Sequence, residues 1–230
     1  MNFESPLIAG KLIRRWNRFL SEIELENGDI VRAHCANSGR MTTCCTPGSD
    51  VLIRFVDDPK RKLKYTWEYI HTGSHWVCIN TSRANQVVKE ALINQSIAEF
   101  SDFPKVRPEF KIGQSRIDFL VENKDQKCFI EVKSVSYIEG EKCCFPDAVT
   151  TRGLKHLNEL MEIKKQGDRA AMLYLVMSDE PQSFSPADHV DPEYGKALRK
   201  AQKAGVEIYV YTCITSELAI KLGKSIPYSL

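Results

Sequence analysis

The chain has no apolar run close to the ~20 residues that a membrane-crossing helix requires. Its opening, Met1-Asn2-Phe3-Glu4-Ser5, lacks the basic segment and apolar stretch of a secretory signal, so a cytoplasmic location is the default expectation. Cysteine is present eight times, at 35, 44, 45, 78, 128, 143, 144 and 213, but no Cys-x-x-Cys pair occurs. Adjacent pairs such as Cys44-Cys45 and Cys143-Cys144 seldom bridge, and reduced thiols are expected. Strong charge of either sign is missing too: the net charge is +2. That small excess is N-terminal, with eleven basic against nine acidic residues in 1–80 and twenty-one of each afterwards. It gathers in Arg14-Arg15-x-x-Arg18 and Lys60-Arg61-Lys62-x-Lys64. Either a solvated surface or a backbone-binding stripe fits such clusters. At 230 residues the chain is long enough for one large domain or two small ones.

What is present changes character near residue 80. Before it, short strand-like runs at Lys11–Leu25, Ile30–His34, Asp50–Val56, Leu63–Ile70 and Trp76–Asn80 alternate with Gly, Asn, Asp and Pro turns. About five short strands in some eighty residues suit a small closed barrel of the OB type. After it, Thr81 or Ser82 can cap a helix with Ala84, Val87, Val88, Ala91 and Leu92 on one stripe. Strands are expected at Val106–Ile112, Arg116–Glu122 and Lys127–Val135. A helix at Thr151–Lys165, a strand at Ala170–Met177, a helix from Pro192 to Ala204 and a strand at Val206–Tyr211 complete the pattern. The expectation is a mixed α/β chain: residues 1–82 as an OB-like barrel and 83–230 as a domain built on a mixed sheet.

Within the second half, Asp118 lies in the apolar run Arg116–Val121, and Glu131-Val132-Lys133 lies in Cys128–Val135. The intervening Glu122–Gln126 reads as a hairpin turn, which can bring both carboxylates to one end of a sheet. Glu131 and Lys133 are two apart and project from the same face of a strand. Burying these charges is costly unless they pair or bind a cation. Asp118, Glu131 and the Val132 carbonyl could hold Mg²⁺, with Mn²⁺ as a substitute, while the Lys133 ammonium acts on water or phosphate. A metal-free cluster of ion pairs is the plainer alternative.

These residues resemble the PD-(D/E)xK nuclease superfamily, with Asp118 at its first acidic position and Glu131-Val132-Lys133 at its (D/E)xK element. The resemblance implies a restriction-endonuclease-like domain and a preceding helix that bears an acid, for which Glu90 is the candidate; a solvated helix face is the alternative for Glu90. Ile117 stands where many members have proline. Longer phrases carry a second resemblance: Ala33–Met41, Ser115–Val121, Ile130–Val135, Phe145–Leu157 and Phe184–Asp191 are similar, in this order and spacing, to the sugar fermentation stimulation protein family. That family implies an N-terminal OB-like domain, a PD-(D/E)xK nuclease-like domain, DNA binding and a proposed regulatory role in sugar (maltose) metabolism. Ala36 and Ser38 depart from the family's usual proline and threonine.

The expected partner is therefore DNA, bound without strong sequence preference because no recognition helix or zinc module is evident. Arg14, Arg18, Lys60, Arg61 and Lys62 are candidates for backbone contacts. Asn37, Ser38 and Arg40 offer an amide, a hydroxyl and a guanidinium from a turn, or else simply stabilise a barrel loop. Tyr65 and Trp67 are candidates for base stacking, and core filling is the alternative. On the helix at Thr151–Lys165, Arg152 and His156 share a face that could meet phosphate or leaving group. Asp147, Asp188 and Asp191 suit capping and turn roles. Metal-dependent cleavage of DNA is the leading reading; a DNA-binding regulator that does not cut is the second, and a small-molecule binder the third.

Overall fold

The computed structural model describes residues 1–112 and 115–230. Strands β1 (Ile8–Trp16), β2 (Leu20–Leu25), β3 (Ile30–Cys35), β4 (Asp50–Phe55), β5 (Tyr65–His71) and β6 (Trp76–Cys78) form a sheet in the order β3-β2-β1-β4-β5-β6. A parallel pairing of β3 with β5 closes it into a barrel. The single run expected over Lys11–Leu25 is in fact two strands. Asn17 and Arg18 both take positive φ, 48° and 62°, and fold β1 back onto β2. Alternation puts Leu12, Ile23, Ala33, Cys35, Val51, Ile53 and Trp67 inside the barrel. Trp67 is fully buried, and its indole N–H donates to the Tyr69 carbonyl. It is a core filler, and the stacking expected of it is excluded.

Helix α1 (Ser82–Ile93) follows, burying Ala84, Val87, Val88, Ala91 and Leu92. A second sheet has the order β15-β14-β12-β9-β8-β7, built from β7 (Lys105–Ile112), β8 (Ser115–Glu122), β9 (Lys127–Val135), β12 (Arg169–Val176), β14 (Glu207–Thr215) and β15 (Ile220–Ser225). The hairpin pairs β7–β8 and β8–β9 are antiparallel, whereas β9–β12 and β12–β14 are parallel. Parallel neighbours need helical crossovers, supplied by α2 (Thr151–Lys165) and α3 (Pro192–Lys203). Thr150 caps α2 by accepting from the Gly153 N–H, and Asp191 caps α3 by accepting from Tyr194. β12, at the centre, is buried along nearly its whole length. A small sheet of β10 (Tyr137–Glu139), β11 (Lys142–Phe145) and β13 (Ser183–Pro186) was not expected; its strands are three or four residues long, too short to show a period. Among the described residues no helix is long and apolar enough to cross a membrane.

The barrel and the second sheet are tied together directly. Cys78 of β6 donates its N–H to the Met177 carbonyl, Met41 donates to the Asp147 carboxylate, and the Thr81 hydroxyl donates to Ala36. Gly39 lies so close to Asp147 that an added Cβ would sit 2.1 Å from its carboxylate. The strongest tie is ionic. Glu68 of β5 is completely buried and accepts from Arg83 of α1 at 2.5 and 2.9 Å, from Arg54 at 3.1 Å and from Asn80 at 2.8 Å. Removing one partner of such a pair strands the other charge. Glu68→Ala is expected to lower unfolding free energy by about 3–5 kcal/mol, measured by chemical denaturation; a loss below about 1 kcal/mol would show that Arg83 finds water instead.

Candidate active site

The site grows from the β8–β9 hairpin. Phe119 pairs with Ile130, and the same register carried one step further puts Asp118 opposite Glu131. Backbone pairing stops there because the strands part. The gap is bridged by a side chain: Asp118 accepts from the Val132 N–H at 2.8 Å. Its other oxygen accepts from the Asn85 amide of α1, also at 2.8 Å. A strand residue turns its N–H and C=O toward the same neighbour, so the Val132 carbonyl also faces Asp118.

Glu131 is 2% exposed. One oxygen, Oε1, accepts from the Lys133 ammonium at 2.8 Å and is in contact with His156 Nδ1. The other oxygen, Oε2, is buried with no hydrogen-bond partner among the described residues. Lys133 Nζ is 3.1 Å from His156 Nδ1, and Arg152 donates to His156 Nε2 at 3.4 Å. Burial, then the charge of Glu131, lifts Asp118 above the ordinary carboxylate range. Burial pushes Glu131 upward as well, but the His156 hydrogen bond and the Lys133 charge outweigh it and hold the group below that range.

Asp118, Glu131, Val132 and Lys133 line a cavity of about 520 Å³ together with Ser38, Thr81, Ser82, Asn85, Glu109, Ser134, Thr150 and Arg152. A neighbouring cavity of about 250 Å³ shares Ser38, Thr81, Ser134, Phe145 and Thr150, so the two run together. Both barrel and sheet domain contribute walls. Among the described residues no three His, Cys, Asp or Glu side chains are gathered closely enough to hold an ion by themselves. The available donors are two carboxylates and a backbone carbonyl. All are hard oxygens of the kind Mg²⁺ and Mn²⁺ take, and the orphaned Glu131 Oε2 is the atom a cation would satisfy. The residues fit such an ion.

The other sequence candidates divide. Glu90 does not reach the carboxylates: it is half-exposed and pairs with the Met1 ammonium. Residues 85 and 90 are five apart on α1, so turning Asn85 to Asp118 turns Glu90 away. Asn37 is buried and holds the barrel loop, donating to Ile79 and accepting from Gly39, so it is not free for phosphate. Ser38 and Arg40 on the same loop are exposed, and Ser38 lines both cavities. Arg15 fixes that loop from beneath, donating to the carbonyls of Arg18, Asn37, Gly39 and Arg40. Arg18 is exposed on the wall of the smaller cavity.

Arg14 pairs with Glu22 and lies over Trp16. Arg61 donates to Thr66, and Lys60 and Lys62 are exposed; none of these lines either cavity. Tyr65 is half-buried against Phe55. Arg152 lines the larger cavity, but His156 is buried inside the cluster, so it holds Glu131 and Lys133 rather than facing solvent phosphate. Asp147 and Asp191 are occupied by backbone N–H groups, and Asp188 pairs with Arg199. Sequence reasoning missed Asn85 and Glu109. Asn85 was legible as the polar residue one turn into α1; Glu109 carried no signal beyond its charge.

Comparison with known proteins agrees with this architecture. The family described as "SfsA N-terminal OB domain" matches residues 13–79, and "Sugar fermentation stimulation protein RE domain" matches residues 82–218. The sugar fermentation stimulation protein homolog of Geotalea uraniireducens is 46% identical over 231 residues, covering 96% of this chain and 100% of the relative. That of Pseudoalteromonas atlantica is 44% identical, with 99% of each covered. The solved structure of Pyrococcus furiosus SfsA in complex with Ca²⁺ superposes with a TM-score of 0.90 at 25% identity, covering 100% of this chain and 98% of that one. A closed OB barrel joined to a mixed restriction-endonuclease-like sheet, matched by profile, sequence and structure over nearly its full length, places this chain in the sugar fermentation stimulation protein family.

Proposed function

We propose that this protein binds DNA and cleaves it as a divalent-metal-dependent phosphodiesterase, with Asp118, Glu131 and the Val132 carbonyl as the metal-holding groups and Lys133 as the catalytic ammonium. The observation that carries the reading is Glu131: a carboxylate 2% exposed, one oxygen unpartnered, beside a second carboxylate and a lysine on a cavity wall. A buried carboxylate oxygen left without a partner calls for an explanation, and a bound cation supplies one here. The Ca²⁺ bound by the Pyrococcus relative supports an ion site in this family. When bound, Mg²⁺ or Mn²⁺ would acidify a water and neutralise charge on the scissile phosphate.

The chain's own groups do the rest. Asn85 and the Val132 N–H fix Asp118. Glu131 holds Lys133 Nζ beside His156, where it can orient the attacking water or stabilise charge on phosphorus. Arg152 at the rim and Ser38, Thr81 and Thr150 along the wall supply donors for backbone phosphates, which carry no sequence information. Arg18 and Arg40 extend that surface onto the barrel. Any role in sugar (maltose) metabolism would be exerted through DNA.

Cleavage of single- and double-stranded DNA in Mg²⁺, Mn²⁺ or EDTA tests the reading. Asp118→Asn and Lys133→Ala are each expected to lower the rate about 100-fold or more while DNA is still retained. Retention with no cutting in any metal would favour a regulator that does not cut.

The carboxylate shifts give a second expectation. Folded Asp118 holds its proton at pH values where the unfolded chain has lost it. The stability it contributes is therefore fully present below the unfolded pKa and lost as pH rises from there through the raised folded value. An ion must displace this proton. Where folded Asp118 is protonated, ion affinity should fall about tenfold per pH unit, read by calorimetric titration of Mn²⁺ at successively lower pH. A profile that stays flat down to acid unfolding would remove Asp118 from the ion's ligands.

A further inference from the structure

We infer that Glu109 is a third acidic group of this site, holding a coordinated water of the ion beside Asp118. The inference rests on the ion-binding reading above and adds a residue to it. Pro108 pairs with Phe119 and Phe110 with Ile117, which leaves Glu109 opposite Asp118 on β8. Asp118 in turn lies opposite Glu131 on β9. Three acids thus form one row across three adjacent strands, about 4.8 Å per step, and all three line the same cavity. Like charges directly opposite one another in a sheet are destabilising. A row of three calls for a counter-charge.

Two independent observations indicate what supplies it. Glu131 Oε2 is buried, unpartnered and part of a residue on the cavity wall, an acceptor waiting for a cation. The backbone of Glu109 itself is unusual. Its φ is 51°, and of the five non-glycine residues with positive φ among the described residues it alone lies inside a strand; Asn17, Arg18, Met41 and Gln95 lie in turns. Such a conformation persists where the surroundings or the function fix it. Glu109 is exposed and forms no ion pair among the described residues. No three acidic side chains there are close enough to ligate one ion directly, so its reach is through a water.

The test is calorimetric titration of Mn²⁺, and separately Ca²⁺, into the full chain and into Asp118→Asn, Glu109→Gln and Glu90→Gln. Asp118→Asn is expected to abolish binding, Glu109→Gln to weaken it about 10–100-fold as groups that hold coordinated water do, and Glu90→Gln to leave it unchanged. Binding in Glu109→Gln equal to the parent, with Asp118→Asn defective, overturns the role of Glu109 and leaves the ion site standing. Unchanged binding in Asp118→Asn overturns both.

Discussion

A carboxylate buried next to another carboxylate is the constraint around which this domain is arranged. Glu131 keeps its charge in a nearly water-free position only because Lys133 and His156 are placed against one of its oxygens. Asp118, across the parting strands, has no cation so close and is lifted toward its protonated form. Where the strands part, the Asp118 side chain takes the Val132 N–H that a continuing ladder would have used, and both residues line the cavity there.

The barrel completes the site from the other side. Its loop at 37–41 is not a loose binding arm: Arg15 holds it by three carbonyls, Asn37 pins it internally, and Asp147 of the second domain takes the Met41 N–H. Glycine at 39 is required by this close approach. The loop therefore presents Ser38 on a rigid frame in the wall of the cavity that the carboxylates line. The buried Glu68–Arg83 pair locks the first turn of α1 to the barrel, and Asn85, two residues on, reaches Asp118. Interdomain packing and site geometry are one continuous network.

Much of this was legible in the sequence, for physical reasons that differ by element. Strands β8 and β9 announced themselves because apolar runs flanked a polar five-residue turn, and hairpin register then aligned Asp118 with Glu131. Helix α2 followed from the helical spacing of its apolar residues over Thr151–Lys165. The β1–β2 fold-back was hidden, because Asn17 and Arg18 carry no glycine to mark the turn. Aromatic burial was misjudged at Trp67, where alternation on a closed barrel sends the ring inward. His156 looked like a surface group because helix periodicity cannot say which face a neighbouring strand will cover. Glu90 was displaced by Asn85, a difference of rotation about one helix axis that no local pattern resolves.

The central claim is that a divalent ion sits between Asp118, the Val132 carbonyl and the orphaned oxygen of Glu131. The most direct measurement is anomalous diffraction from crystals grown with Mn²⁺. The account predicts one strong peak within bonding distance, about 2.0–2.6 Å, of those oxygens. A peak elsewhere, or none at saturating Mn²⁺ with Glu131 Oε2 still unpartnered, would contradict it.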